Sequence, residues 1–302
     1  MAYDLAGLRT ALDEARRVSA YKASVFNLIG GTVNRYTGHI WDLWEQSPHA
    51  GASPSTINGT QYSKSTQGAI ALGTNTSAGS TYALADVQTS ATWTPANETT
   101  PPYIFAGGSE YYVHVWDRIW ANAFSQNTTA RQAITFPALT RYTTGQGLSI
   151  WLRWLYTFTT PTATITVEYT NQAGVSRTVS WVNNPNINNC YHEMSAFPIP
   201  LLAGDSGVQA VNAITLSAGA PDGPANAFSL MVVRYLGAYR VNSSTFPDFT
   251  AGQSFMGSLP QFDGNACLCL GIQTGPAAVF RAGLGPSTIM PQVGFEAKVL
   301  AL

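Results

Sequence analysis

The sequence predicts a mainly β protein, an antiparallel β-sandwich of jelly-roll-like design with an N-terminal α-helix and extended arms. Apolar and polar residues alternate with the two-residue period of a strand over much of 148–182. Groups of Gly, Asn, Asp and Pro separate the later apolar segments and are typical of turns. Charged residues make up only 10% of the chain, so most of its polar surface is neutral.

The N-terminal helix is predicted over Asp4–Ile29, and Gly30-Gly31 marks its end. Two interpretations of this helix stay open: it packs on its own β domain, or it docks on another subunit. Under the second interpretation the subunit contacts fall on one apolar stripe. Its members are Leu5, Leu8, Leu12, Phe26 and Ile29.

Shifts in composition divide the chain into four segments. Residues 1–48 hold the helix and a docking segment, and 49–129 form an extended polar arm with an irregular β region. Residues 130–242 form the β-sandwich domain, and 243–302 complete a sheet or an arm.

Within the arm region, 81–105 is predicted as irregular connections or edge strands, because Pro95, Pro101 and Pro102 interrupt it. The aromatic run 110–124 alternates like a strand through Trp116, although its later residues also suit a helix. A weaker strand signal lies within 32–45.

The β domain is predicted to begin near Ala130. Its strands are expected at 133–139, in the aromatic run 148–158, in a hairpin over 164–182, at 208–217 and at 228–239. Short strands at this spacing favour a jelly roll, with another Greek-key sandwich as the alternative.

Residues that could perform chemistry are scattered. The histidines His39, His49, His114 and His192 lack the spacing of metal ligands, and the carboxylates form no catalytic motif. His114 and Asp117, beside aromatic residues, come nearest to a sugar-processing groove. We favour core aromatics there and predict no catalytic residue, no metal, no cofactor and no enzymatic activity.

The cysteines Cys190, Cys267 and Cys269 are too few for a secreted disulfide framework. Cys267 and Cys269 share one face of a predicted strand, where buried thiols are expected. Disulfides between subunits, formed in an oxidising medium, are the alternative.

The charge pattern excludes several classes of partner. A net charge of −1 and the lack of a Lys/Arg run argue against nucleic-acid binding. The sequence has neither a signal-peptide pattern at its start nor an apolar run of membrane-spanning length, so we expect synthesis in the cytoplasm and no membrane. Low surface charge instead favours contact with other proteins.

In overall build the chain resembles the structural proteins of tailed-bacteriophage virions, particularly head decoration, cement or spike subunits. The resemblance is carried by the segment LAGLRTALDEARRVSAYKASVFNLIGG, the polar Gly/Ser/Thr arms, the low charge and the β-sandwich. It implies a non-enzymatic virion protein that binds a capsid or tail lattice. Its partners would be itself, as a symmetric homo-oligomer, and other virion structural proteins.

A carbohydrate-binding module for host-surface attachment is the alternative function. The chain has eight Trp, and exposed Trp rings on a sandwich face can stack on sugars. Trp151 and Trp181 are the candidate glycan-stacking residues. A glycan-degrading tail enzyme ranks last, because it would need paired carboxylates in a cleft.

Overall fold

Antiparallel strands build the described part of the chain, as the sequence predicts. The computed structural model describes residues 10, 14–23, 26–27, 40–44, 57–72, 75–95, 110–154, 163–182, 195–219, 228–242, 251–253, 260–274 and 288–302. In chain order the strands are β1 (Arg16–Ala23), β2 (Phe26–Asn27), β3 (Ile40–Asp42), β4 (Asn58–Gln61), β5 (Thr81–Pro95), β6 (Glu110–Phe124), β7 (Gln132–Ala133), β8 (Leu148–Trp154), β9 (Thr164–Asn171), β10 (Ser176–Val182), β11 (Ser195–Ile199), β12 (Val208–Leu216), β13 (Phe228–Asn242), β14 (Ala251–Gln253), β15 (Gln261–Asp263), β16 (Leu268–Thr274) and β17 (Thr288–Ala301).

A closed barrel lies at the centre of the fold. Its strands are neighbours in the order β13, β8, β11, β3, β16 and β6, and β13 also pairs with β6 to close the ring. β4 pairs with the far end of β6, outside this ring. Closure leaves no free edge within the ring of strands.

Two further sheets cover the outside of the barrel. The terminal sheet has the order β1, β17, β5 and β14, with β2 also on β17 and β15 also on β5. The hairpin sheet has the order β10, β9, β12 and β7. Sheets therefore pack face to face on both of these sides of the barrel, as in a sandwich.

Alternation along β6 and β13 assigns each residue to the inside or the outside of the barrel. The outward residues near the start of β6, such as Val113 and Val115, pack with Phe295 and Val299 of the terminal sheet. Outward residues near its end pack with the hairpin sheet. The long strands thus belong to three packed regions: the barrel interior and the two outer cores.

Irregularities in the pairing of β6 with β13 fall between these regions. The register shifts between Val232 and Val233 and again between Tyr235 and Gly237. Such bulges increase the local twist of a strand. Here they let one strand pair turn from one flanking sheet to the other.

Gly271 in β16 allows the barrel wall to pass close to a buried tryptophan. A Cβ atom at this position would lie 2.5 Å from Cη2 of Trp116 and 3.0 Å from Cγ2 of Ile40. The contact at 2.5 Å is too short for a Cβ atom, and the Trp116 ring has little room to move because it is itself fully buried. The glycine is therefore required by packing.

The predicted N-terminal helix over Asp4–Ile29 is wrong in its second half. Arg16–Ala23 is strand β1, which pairs along its whole length with β17, and Phe26–Asn27 is strand β2. Thr10 and Glu14 are helical, and the remaining residues of 1–13 lie outside the described part of the chain. Pairing with a distant strand overrides the local helical pattern here.

The expectation of irregular connections at 81–105 is also wrong in its described part. Residues 81–95 form the long strand β5, which lies between β17 and the short strands β14 and β15. The described part of β5 reaches Pro95, so this first proline does not prevent strand formation up to that point.

Strands from all the predicted segments meet in the barrel sheet. β3 comes from 1–48, β4 and β6 from 49–129, β8, β11 and β13 from 130–242, and β16 from 243–302. The polar region 49–80 also contributes core residues, since Ile57, Tyr62 and Ile70 are buried. The segments are interleaved in space.

Several predicted β elements are confirmed. The hairpin over 164–182 is present as β9 and β10 in unbroken register, and the aromatic run 110–124 is strand β6. β8 is covered on both faces, as its pattern predicts. Among the described residues the strands form a ring with two covering sheets, an order that does not by itself define a jelly roll.

Candidate functional site

A buried ion cluster occupies the barrel interior. The carboxylate of Asp42 forms ion pairs with the guanidinium groups of Arg118 and Arg153, the latter at 2.8 Å, and all three side chains are inaccessible to solvent. The Asp42 carboxylate also accepts the backbone N–H of Trp44 at 3.1 Å. The Arg118 guanidinium lies over the Trp44 ring, 4.6 Å from its centroid.

These charges meet across the barrel interior from strands that are not neighbours. Asp42 is on β3, Arg118 on β6 and Arg153 on β8, with β16 between β3 and β6 and β11 between β3 and β8. Burial by itself would lower the pKa of Arg118, but the negative charge of Asp42, its hydrogen bond to Arg118 and smaller electrostatic contributions together hold the pKa above its ordinary value. Arg118 therefore stays charged, and the two ion pairs connect three strands of the barrel to one another.

A second buried ion pair lies on the outer side of β6. Arg141 contacts Asp117 through two hydrogen bonds, of 2.9 Å from Nε and 2.7 Å from Nη2. Asp117 also accepts the backbone N–H of Cys267 at 2.8 Å. This bidentate geometry is the strongest form of such a pair and anchors the loop that carries Arg141.

His114 and Asp117 do not form a sugar-processing groove. His114 points into the barrel mouth, whereas Asp117 lies on the opposite face of β6 and is fully buried against Arg141. An odd separation along a strand places two side chains on opposite faces. The two groups therefore cannot act on one substrate.

The expectation of buried thiols at Cys267 and Cys269 is confirmed. Both cysteines are free and buried, and their sulfur atoms lie 4.0 Å apart. Burial raises the pKa of the Cys267 thiol well above its ordinary value. Cys190 lies outside the described residues.

Stacked aromatic rings line one mouth of the barrel. The ring centroids of Trp116 and Trp151 are 5.4 Å apart, and Trp151 stacks on Tyr235 at 5.7 Å with planes 28° apart. Trp116 and Trp151 are buried, but 40% of Tyr235 is exposed. Tyr235 thus presents a ring at the surface that a deeper ring supports from behind.

His114 fixes the hydroxyl of Tyr235. Nε2 of His114 lies 2.8 Å from Oε1 of Gln273, an atom that can only accept, so Nε2 carries the proton. Nδ1 then accepts the Tyr235 hydroxyl at 2.8 Å. Burial lowers the pKa of His114 to about 4 and raises that of Tyr235 to about 12, so both groups are neutral at pH 7.

The outer side of the hairpin sheet carries a row of hydroxyl groups, which we name the hydroxyl face. Its members point away from the barrel, opposite to buried residues such as Val167 and Tyr169. They are partly or fully exposed, and the described ones are Thr164, Thr166, Thr170, Ser176, Thr178, Ser180 and Thr215.

Hydrogen bonds between neighbouring strands order this face. The hydroxyl groups of Thr166 and Ser180 lie 3.0 Å apart, and Asn212 donates to Thr170 at 3.1 Å. Charge enters through Glu168, which is neutralised by Arg131 at 2.6 Å. The hydroxyl face is therefore an ordered, neutral surface whose hydroxyl groups can donate and accept hydrogen bonds.

The hydroxyl face ends at strand β10. β10 pairs with β9 without a register shift and is the last strand of its sheet among the described residues. It holds no proline, and Arg177 is its one ionisable residue. The opposite margin differs, since β7 has only two residues and the β12–β9 register shifts twice.

The predicted glycan-stacking residues occupy different environments. Trp151 is inside the barrel between two other rings and only 4% exposed, so its ring cannot stack on a sugar. Trp181 is partly exposed on β10 and stacks on Phe197 at 6.1 Å. Tyr235 could not be recognised from the sequence, because a tyrosine in an alternating strand is a normal core residue.

The predicted subunit-contact residues fall mostly outside the described part of the chain. Leu5, Leu8, Leu12 and Ile29 belong to residues that the structure does not describe, and Phe26 is in strand β2. Their role in subunit contact stays a prediction.

The described residues include neither a metal-binding cluster nor a membrane-spanning helix. They contain no group of three or more His, Cys, Asp or Glu side chains placed to hold a metal ion. No helix within them has the length and apolar character needed to cross a membrane.

Comparisons with known proteins place the chain in no family. No family model matches the sequence, and no curated protein matches it. Chains in solved structures of infectious bursal disease virus superpose on this chain, but only with low TM-scores. The Gx strain structure has 11% identity over 96% of this chain and 82% of that chain, with a TM-score of 0.19. The VP2 subviral particle has 11% identity over 96% and 86%, with a TM-score of 0.18.

A third overlap, with the T13 particle of the same virus, has 9% identity over 95% of this chain and 79% of that chain, with a TM-score of 0.18. TM-scores this low do not establish a common fold. The resemblance to tailed-bacteriophage proteins therefore stays a prediction.

Replacing Asp42 by asparagine should strongly destabilise the protein. The substitution keeps the side-chain volume but leaves Arg118 and Arg153 without this counter-charge, at a cost of about 3–5 kcal/mol. Glu168→Gln is the matched control, because it removes the carboxylate of an exposed pair that contributes about 0–1 kcal/mol. Urea unfolding followed by tryptophan fluorescence measures both, and equal losses would contradict a structural role for the buried cluster.

His114 should make the protein less stable in mild acid. The unfolded chain binds a proton near pH 6.5 and the folded one only near pH 4. Its contribution is therefore complete above pH 6.5 and is lost as the pH falls to 4, by up to about 3 kcal/mol. We expect His114→Gln to flatten the stability curve in this window, as measured by urea unfolding at half-unit steps. Parallel curves of unfolding free energy against pH for the wild-type protein and His114→Gln would contradict this role of His114.

Proposed function

We propose that this protein is a non-enzymatic structural subunit of a virus particle. In this proposal it binds a capsid or tail lattice as a symmetric oligomer and stabilises or decorates the particle. The observation that carries the proposal is the hydroxyl face, an ordered neutral surface next to an open strand. The build of the sequence, which resembles tailed-bacteriophage virion proteins, supplies the setting.

A neutral hydroxyl surface suits repeated protein contacts. Ser and Thr hydroxyl groups lose less hydration energy than ionised side chains when a partner covers them, and they can both donate and accept hydrogen bonds. A lattice repeats the same weak contact many times, so that strong binding results without strong single sites. Few charges are then needed, in keeping with the 10% charged residues of this chain.

The barrel supports such a role by holding the face rigid. The inner side of the hairpin sheet packs through Ile165, Val167 and Tyr169 on the outward residues of β6, β8 and β13. Of these strands, β6 and β8 are also held from within by the ion pairs of Arg118 and Arg153 with Asp42. A rigid face loses little conformational entropy on docking.

The residues before Arg16 supply a second route to subunit contact. They lead into β1, which pairs only with β17 among the described strands and lies at the margin of the terminal sheet. The apolar stripe of Leu5, Leu8 and Leu12 is therefore attached to an outer strand. We retain Leu5, Leu8, Leu12, Phe26 and Ile29 as the proposed contact residues.

Placing charge on the hydroxyl face should weaken assembly. We expect the purified protein to form oligomers of defined mass that persist in 1 M NaCl, because salt screens charged contacts and not neutral ones. Thr166→Lys combined with Thr215→Lys should reduce the mass towards that of the monomer. Size exclusion with light scattering, supported by negative-stain electron microscopy, measures both.

Thr143→Lys is the matched control for this experiment, because Thr143 is exposed in a turn away from the hydroxyl face. It should leave assembly unchanged. A wild-type protein that remains monomeric at every concentration, and forms no particles, would overturn the assembly proposal.

Glycan binding for host-surface attachment is the second candidate function, and Tyr235 is the observation that favours it. Its exposed ring is held by Trp151 behind and by His114 at the hydroxyl. A ring fixed in this way can stack on the apolar face of a sugar at little entropic cost. Trp181, already stacked on Phe197, is the other candidate ring.

A glycan array with three variants tests this second function. Tyr235→Ala should abolish binding of any retained glycan, whereas Tyr235→Phe should retain most of it because the ring remains. Trp181→Ala serves as the comparison on the other surface. Binding that survives both alanine substitutions, or the lack of any glycan signal for the wild-type protein, would rule out aromatic stacking at these positions.

A further inference from the structure

The open margin of the hairpin sheet differs from the other long margin strand of the protein. β1, with the sequence RRVSAYKA, carries three basic residues, and such charges commonly protect a strand from pairing with another chain. β10, with the sequence SRTVSWV, has one basic residue, no proline and no bulge. Of these two strands, β10 alone has the features of an unprotected edge.

Strand β10 is also complementary to itself. In an antiparallel pair of two β10 strands related by a two-fold axis at Val179, residue 178 of one copy lies opposite residue 180 of the other. Thr178 and Ser180 are both exposed on the hydroxyl face. Within one chain the same kind of cross-strand pair already occurs, since the hydroxyl groups of Thr166 and Ser180 lie 3.0 Å apart.

The same axis brings a cation to an aromatic ring. Residue 177 of one copy lies opposite residue 181 of the other, which pairs the Arg177 guanidinium with the Trp181 ring. The Arg177 side chain is 41% exposed and lies 3.6 Å from Asp205, too far for a hydrogen bond. Its Nε has no hydrogen-bond partner among the described residues. Turning to a second ring would loosen this ion pair, but the Asp205 carboxylate would keep its hydrogen bonds from Tyr169 and Asn171.

We propose that a second copy of this chain adds to the β10 edge, with the two-fold axis at Val179. The two hairpin sheets then form one continuous sheet, and the two hydroxyl faces form one larger face. This inference rests on the proposed assembly function and names its first contact. The partner is a second copy because the sequence of β10 matches itself about Val179 at both flanking pairs.

The opposite margin of the sheet does not compete for this role. β7 has only two residues, and the bulges between β12 and β9 twist that side of the sheet. Pairing of β10 with β7 of another copy would offer few backbone hydrogen bonds and would continue as an open filament. Pairing of β10 with β10 uses seven residues of each copy and is closed.

Mixed single-cysteine variants test this register. Thr178→Cys and Ser180→Cys are prepared separately, mixed, and oxidised with oxidised glutathione. The mixture should give a covalent dimer on a non-reducing gel, because residue 178 meets residue 180 of the other copy. Each variant alone should stay uncrosslinked, since its own position lies across the axis from an unchanged residue.

The wild-type protein is the control for the native thiols, including Cys190, Cys267 and Cys269. A covalent dimer of Thr178→Cys alone would overturn the register by placing the axis at residue 178. Lack of crosslinking in the mixture, with folding verified by circular dichroism, would overturn the edge contact itself.

Charge variants at the same exposed positions give a second measurement. Thr178→Glu with Ser180→Glu places like charges across the axis and should convert the dimer to monomer in light scattering. Thr178→Lys with Ser180→Glu places opposite charges there and should keep the dimer. Equal masses for the two variants would contradict the proposed pairing.

These results separate the edge contact from the assembly function. Crosslinked dimers that never form larger oligomers would support the edge contact and overturn lattice assembly. Large assemblies without crosslinks between residues 178 and 180 would retain the assembly function and overturn the edge contact.

Discussion

Pairing between β6 and β13 is the constraint on which the rest of the structure depends. These strands close the barrel, and their outward residues provide the surface on which both flanking sheets pack. Each strand has 15 residues, long enough to serve one flanking sheet at one end and the other sheet at the other end. The bulges at Val232/Val233 and Tyr235/Gly237 lie between the part of the strand pair that packs on the terminal sheet and the part that packs on the hairpin sheet.

Inside the closed ring, charged side chains occupy part of the space that apolar residues fill in most protein cores. Asp42, Arg118 and Arg153 are fully buried among tryptophan rings. A buried charge of this kind is costly unless its partners are in position, so the cluster favours one arrangement of the barrel strands over near alternatives. In physical terms it specifies the register of the barrel more than it adds to stability.

The strands with regular alternation were predictable from the sequence. The β9–β10 hairpin, β6, β8, β12 and β13 follow from periodicity, because each packs one face or both faces on a core. β1 was not predictable, since RRVSAYKA continues a helical pattern and becomes a strand only through its pairing with β17. The partner lies far along the chain, where local spacing carries no information about it.

The candidate site was predictable only in its general character. Low charge and abundant hydroxyl residues indicated a neutral contact surface, but not that Thr166 and Ser180 would lie side by side on a sheet. Of the two candidate stacking rings, Trp181 is partly exposed but Trp151 is covered, and Tyr235 is exposed beside it, because β8 enters the barrel while this part of β13 reaches its mouth. Tertiary packing decides which of two aromatic residues is covered, and the alternation of apolar and polar residues in the sequence does not predict that packing.

The terminal sheet also affects how the protein is made. β1 pairs with β17 from Arg16 opposite Val299 to Ala23 opposite Gln292, so its partner emerges from the ribosome only after almost the whole of the intervening chain. Until then β1 and β5 lack the strand that joins them, and their backbone groups are open to the wrong neighbours. Completion of this sheet must therefore wait until β17 has been synthesised, and strand order along the chain sets how long its partners stay unpaired.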